Sequence, residues 1–200
     1  LEPVRAVRDR FGPGLPLQVD ANTAYTLADA EHLRRLDEFG LLLIEEPLAE
    51  NNLYAHARLQ QRLATPVCLD ESLHNARDTA SAIAMDACRV VNVKPARVGG
   101  YLEARRVHDV AYAHGVPVWC GGMLETGIGR APNLALAALP GCTLPGDTSA
   151  SSRYFAEDIT EPFVLVDGHL PVPRTPGIGV RPLPEALRRF TRERRDLYVT

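Results

Sequence analysis

The chain has 200 residues, 46% of them hydrophobic, and a formal net charge of -3. That content supports a sizeable buried core and excludes a disordered chain, while the weak negative charge provides no basic stripe for nucleic acid or an acidic membrane surface. The longest apolar runs, GLLLI and RVVNV, fall far short of the ~20 residues of a membrane span; Leu1 opens no signal segment, so a cytoplasmic protein without nucleic-acid or membrane partners is expected.

Residues 1–11 read as the end of a helix. Apolar runs with β-branched residues then recur at 17–19, 41–44, 67–69, 90–93, 116–119 and, more weakly, 142–144. Between the first two runs, TLADAEHLRRLDEFG starts at a Thr26 cap and ends at Gly40. Between the fourth and fifth, YLEARRVHDVAYAHG places Leu102, Val107, Val110 and Ala111 on one face and stops at Gly115. Strand alternating with helix predicts a parallel sheet, and runs without polar alternation predict that both faces are covered. From Phe155 onward Pro and Gly are too frequent for another βα unit, and VDGHLPVP signals a hairpin. The arginine-rich end at 188–195, interrupted by Phe190 and Glu193, reads as a solvated helix face. Cys68, Cys88, Cys120 and Cys142 form no CxxC pair and sit in or beside apolar runs, which favours buried reduced thiols over disulfides or a zinc site.

The strand period carries the chemistry. Asp20, Glu45, Asp70 and Lys94 close the first four runs at steps of 25, 25 and 24 residues. A doubly wound sheet would spread such residues along an edge, whereas a βα barrel gathers its C-terminal strand ends around one mouth. A single charged residue at a strand end ordinarily marks the chain's return to solvent; four in register make a metal site beside a base. IEEP offers both Glu45 and Glu46, and LDES both Asp70 and Glu71. Neighbouring strand residues point to opposite faces, so one of each pair serves as ligand, and equal spacing favours Glu45 and Asp70. An all-oxygen donor set suits Mg²⁺ or Mn²⁺. Gly99 and Gly100 do not form GxGxxG and read as a tight turn into a helix. Trp119 and Met123 are open between core and pocket.

VDAN at 19–22, IEEP at 44–47, LDES at 69–72, VKPARVGG at 93–100, WCGGMLETG at 119–127 and LPGDTSAS at 144–151 together resemble the enolase superfamily. Within it they look most like the N-acylamino acid racemase and o-succinylbenzoate synthase family of the muconate-lactonising subgroup, over roughly residues 15–182. The resemblance implies an α/β fold, a (β/α)7β TIM-like barrel, with strands three to eight in residues 1–154 and a segment at 155–200 that packs back on a capping domain. It also implies a capping domain and two first strands that are absent here, the second strand carrying a Lys-x-Lys motif with the opposite acid/base. The chain therefore reads as the C-terminal part of a longer enzyme, inactive and aggregation-prone alone. By the same resemblance Asp20, Glu45 and Asp70 are ligands for Mg²⁺ (or Mn²⁺, Co²⁺), and Lys94 is one acid/base. Asn22, Gly122, Met123 and Asp147 line the substrate. Relatives with Gln after the ligand Glu support Glu45 over Glu46.

The implied activity is racemisation of N-acylamino acids by α-proton abstraction to an Mg-stabilised enediolate. A lysine crowded by a cation and partly desolvated is expected to favour its neutral form. Dehydration to o-succinylbenzoate in menaquinone biosynthesis is the alternative on the same site. The implied partner is a small N-acylamino acid or succinylbenzoate-type carboxylate, bound by a homo-oligomer. From other classes, a Schiff-base aldolase would use Lys94 as a covalent nucleophile, and a non-catalytic binding fragment would use none of these groups.

Overall fold

The computed structural model describes residues 1–196; residues 197–200, which the expected C-terminal segment includes, lie outside the described residues. After helix α1 (Glu2–Phe11), strands β1 (Val19–Asp20), β2 (Ile44–Glu45), β3 (Val67–Leu69), β4 (Val90–Val93) and β5 (Val118–Cys120) form one sheet in the order β1-β2-β3-β4-β5. The pairings from β1 to β4 are parallel, in a register that sets Asp20 beside Glu45 and Glu45 beside Cys68. Parallel neighbours need a crossover, and the sequence supplies α2 (Ala30–Arg34), α3 (Leu53–Gln60), α4 (Ala76–Ala84) and α5 (Tyr101–Ala113) between successive strands. Strand order never reverses, so these strands contain no doubly wound switch point. β2 to β5 are buried along their whole length, as their unbroken apolar character requires.

The run at 142–144 forms only a single parallel bridge from Val118 to Cys142, not the expected strand. Gly141 before it sits at φ 87°, in the left-handed region, and Pro145 after it has no amide to continue a ladder.

The helix expected from Thr26 to Gly40 is three short pieces, with 3-10 turns at Leu27–Asp29 and Arg35–Phe39 flanking α2. Its ends are where the sequence places them. The Thr26 amide and hydroxyl both donate to Asp29 (2.9 and 2.8 Å), and Gly40 closes it at φ 57°. Asp37, in the last turn, accepts from the amides of Ala64 and Thr65 and from the Thr65 hydroxyl at 3.0, 2.7 and 2.7 Å. Burial alone would push its carboxyl up. These bonds outweigh it and hold the pKa below the ordinary 3.8. A depressed folded pKa contributes stability above the unfolded value and loses it as pH falls through the folded one. Asp37→Ala is therefore expected to cost about 1–3 kcal/mol at pH 7. In urea unfolding the difference from wild type should shrink below pH ~4; a difference unchanged at pH 3 would contradict the carboxylate's role.

On α5 the buried face is Ala104, Val107, His108 and Ala111, an i, i+3, i+4, i+7 stripe. The expected face holds at Val107 and Ala111 but not at Leu102, which is 70% exposed and stands two residues, about 200° around the helix, from Ala104. Gly99 and Gly100, at φ 87° and 117°, turn the chain into this helix in conformations that only glycine adopts without strain.

Trp119 belongs to the core. It packs with Leu43, Cys68 and Val90, and its indole N–H donates to the Cys68 sulfur at 3.4 Å. All four cysteines are free, three of them buried; burial pushes the Cys88 thiol up to about 12, which leaves it unreactive.

The chain divides into two compact units, Leu1–Trp119 with Pro140–Pro145, and Cys120–Leu139 with the residues from Gly146 onward. The division expected after residue 154 falls inside the second unit. That unit holds α6 (Gly127–Ala137) and α7 (Pro184–Phe190), with Ala131, Leu134 and Phe163 in its core. The predicted hairpin is present as a mutual pair of bonds between Val166 and His169 (2.8 and 2.9 Å), turned by Asp167 and Gly168 at φ 49° and 77°. The arginine-rich end is helical only to Phe190. Thr191 leaves the helix at ψ 119° while its hydroxyl takes the carbonyl of Leu187 (2.6 Å), and Arg192, Arg194 and Arg195 follow exposed. Among the described residues no helix is long and apolar enough to cross a membrane.

Candidate active site

Parallel register brings the ends of β1 to β4 to one side of the sheet. Asp20 and Glu45 are the last residues of β1 and β2, and Asp70 and Lys94 directly follow β3 and β4. Glu45 is 3% exposed and accepts the Asn92 side-chain amide at 2.7 Å. Burial raises its pKa most; Asn92 and Lys94 lower it, the charges of Asp20 and Asp70 raise it, and the result is about 8. A carboxyl in that state lacks the positive charge that would keep it ionised.

Asp70, buried, carries the most partners. Lys94 Nζ lies 2.5 Å from Oδ2 and Arg97 Nε 3.2 Å from Oδ1. The Arg97 contact is too bent for a hydrogen bond, so Asp70 Oδ1 is a buried oxygen without one. The other Arg97 nitrogen lies 3.5 Å from Glu71. Lys94 is the only lysine of the chain. Burial works against its charge, but the Asp70 hydrogen bond and charge, followed by Glu45 and Glu71, hold its pKa above the ordinary value. In this arrangement the nearest charge to Lys94 is the Asp70 carboxylate, which favours the ammonium; the expected neutral form belongs to a lysine crowded by a cation.

The doublets separate cleanly. Glu45 faces Asn92 and the charges of Asp20, Asp70 and Lys94, whereas Glu46 turns to the next loop, accepting the amides of Asp70 (2.8 Å) and Ser72 (3.3 Å) and the Ser72 hydroxyl. Asp20 is exposed and accepts the Asn22 amide at 2.9 Å.

Asn22 follows in the first unit, exposed at φ 43°. Gly122, Met123 and Asp147 belong to the second unit, where Met123 is 47% exposed. A Cβ at Gly122 would stand 1.8 Å from the Asp147 carbonyl oxygen, and the Asp147 amide donates to Cys120 at 3.1 Å. Gly122→Ala is thus expected to push the 146–148 loop away and lower the melting temperature by several degrees, about 1–3 kcal/mol of overpacking. An unchanged melting curve would show that the loop gives way freely.

Two groups escaped the sequence reading. Asn92 was visible as the one polar residue within VVNV, and Arg97 as a cation one helical turn beyond Lys94. Among the described residues no three His, Cys, Asp or Glu side chains converge closely enough in this structure to hold one ion; Asp70 is engaged by Lys94 and Arg97 instead. The donor set nonetheless fits a hard divalent cation, since three carboxylates interact, one at a raised pKa and another with an unbonded buried oxygen.

A sequential parallel α/β sheet with acids and one lysine at its C-terminal strand ends defines an enzyme-type site. Residues 1–186 match the enolase C-terminal domain-like family, and the chain belongs to it. The fold of that family is TIM-barrel-like. The chain is 66% identical over 191 residues to the N-succinylamino acid racemase of an Amycolatopsis species, covering 96% of this chain and 52% of that protein. It is 55% identical over 177 residues to the o-succinylbenzoate synthase of Geobacillus kaustophilus, covering 88% and 47%. The crystal structure of an enolase-superfamily member from Listeria innocua Clip11262 superposes with a TM-score of 0.92 at 43% identity, over 96% of this chain and 52% of that one. The chain spans about half the length of these relatives.

Proposed function

We propose that this chain carries one half of a two-base site that racemises N-acylamino acids, with Lys94 exchanging the α-proton. The observation that supports it most is Lys94, the sole lysine of these 200 residues, set 2.5 Å from the buried Asp70 on the side of the sheet where β1 and β2 end in Asp20 and Glu45. Asp20, Glu45 and Asp70 would hold a divalent cation, which would supply positive charge to the substrate carboxylate as the α-proton leaves. Lys94, as an ammonium, returns a proton to one face of the α-carbon and, once neutral, takes one from it. Asp70 orients its Nζ, and Asn92 fixes Glu45. Asn22, Gly122, Met123 and Asp147 are proposed to contact the substrate. N-succinyl substrates are favoured by the name of the 66% identical relative. The name of the 55% identical relative favours a second reading, o-succinylbenzoate synthesis at the same groups.

Chelation tests the proposal. Dialysis of the intact enzyme against EDTA should abolish loss of optical activity from an N-succinylamino acid, and Mg²⁺ or Mn²⁺ should restore it; full activity in chelator would sink the reading. Parallel assays with the o-succinylbenzoate precursor compare the two activities.

A further inference from the structure

We infer that Glu46 is a positioning residue that locks the three acid-bearing strand ends into one arrangement. It holds the β1 loop with its main chain and the β3 loop with its side chain. The Glu46 carbonyl accepts the Thr23 amide at 2.8 Å, between flanking bonds from Ala21 to the Glu45 carbonyl (3.0 Å) and from Tyr25 to the Pro47 carbonyl (3.0 Å). Its carboxylate accepts the amide of Asp70 itself, together with the amide and hydroxyl of Ser72. The Ser72 oxygen accepts in turn from the Asn51 amide at 3.0 Å, returning the network to the loop after β2.

The backbone carries a second, independent mark. Asn22, Thr23 and Glu46 stand at φ 43°, 62° and 31°, a region that non-glycine residues seldom occupy and β-branched threonine least of all. Such conformations persist only where the surroundings over-determine them. Here the Thr23–Glu46 bond joins two strained positions directly. Glu46 is fully buried, and the neighbouring His56 ring, whose Nε2 lies 3.8 Å from the carboxylate, makes its hydrogen bonds to the Asn52 carbonyl and the Leu48 amide (3.0 and 3.3 Å). The carboxylate is therefore satisfied by the β3 loop. A group so placed acts on the acid cluster through Asp70 and the β1 loop. The inference rests on the proposed function only in taking that cluster as a cation site.

The test compares wild type, Glu46→Ala and Glu46→Gln in the intact protein by two measurements: Mn²⁺ titration followed by electron paramagnetic resonance, and amide hydrogen exchange at Asp70, Ser72 and Thr23 with α5 amides as reference. Glu46→Ala retains all three acids, yet Mn²⁺ binding is expected to weaken about 10–100-fold. The three amides should exchange faster while α5 does not. Glu46→Gln keeps one acceptor oxygen and should fall between. Faster exchange with Mn²⁺ affinity within twofold of wild type would reduce Glu46 to a structural residue and overturn the inference, as would unchanged exchange. If wild type binds no Mn²⁺, the cation reading fails, and exchange alone decides: faster at both Asp70 and Thr23 upholds the lock, and any other pattern overturns it. Should Glu46→Ala fail to fold, Ser72→Ala, which removes one donor to the carboxylate, takes the same two measurements with the same criteria.

Discussion

Lys94→Ala is expected to lower racemisation of an N-succinylamino acid by at least ~10³-fold, the scale of a lost general acid/base, while leaving divalent-cation binding no weaker than in wild type. The first part follows from the role proposed for Lys94 as the acid/base on one face of the α-carbon. The second follows from geometry. Lys94 Nζ occupies Asp70 Oδ2 at 2.5 Å, so removing it frees a donor oxygen and removes a competing charge. Lys94→Arg should not restore activity, because a guanidinium keeps its proton at any working pH and cannot serve as a base. Steady-state polarimetry and cation titration of both variants check the two parts separately. A racemisation rate within tenfold of wild type in Lys94→Ala would remove the lysine from the mechanism.

Asp70→Asn carries the second large effect. Asparagine preserves the volume and one acceptor oxygen but removes the charge at the most buried of the three acids. With only Asp20 and Glu45 left as charged ligands, cation affinity should fall by about 100-fold or more, since ligand charge count sets affinity for hard cations. The substitution also removes the hydrogen bond and charge that hold the Lys94 pKa up, so burial should move that pKa downward. Calorimetric titration with Mg²⁺ at pH 8 reads the first consequence; an unchanged dissociation constant would exclude Asp70 as a ligand.

Much of the sheet was legible because parallel, doubly covered strands leave continuous apolar runs, and the 25-residue step is the length of one crossover unit. The cluster was legible for the same reason: equal steps put chemically alike residues at equivalent strand ends. Equal spacing favoured Glu45 over Glu46, but it could not show what turns Glu46 away. Glu45 and Glu46 differ by which way a two-residue strand ends, and that is decided by the left-handed turn at Glu46 and by its bonds to Ser72, 26 residues on. The strand expected at 142–144 failed because its apolar pattern says nothing of the neighbouring Gly141 and Pro145 backbones, which end pairing after one bridge. On α5, Leu102 was misplaced for a simpler reason. Small and polar residues, Ala104 and His108, help fill the buried face, and hydrophobicity pointed to Leu102 instead.

The most direct test of cation-dependent proton abstraction at Lys94 is exchange of the substrate α-proton in D₂O, followed by proton NMR for each enantiomer of an N-succinylamino acid separately. Wild-type enzyme with Mg²⁺ should exchange both enantiomers and racemise them. Lys94→Ala should exchange one enantiomer only and racemise neither, because the proposed two-base scheme keeps a base on the opposite face of the α-carbon; in EDTA neither protein should exchange. Equal exchange of both enantiomers by Lys94→Ala, or exchange that persists without any divalent cation, would contradict the assignment.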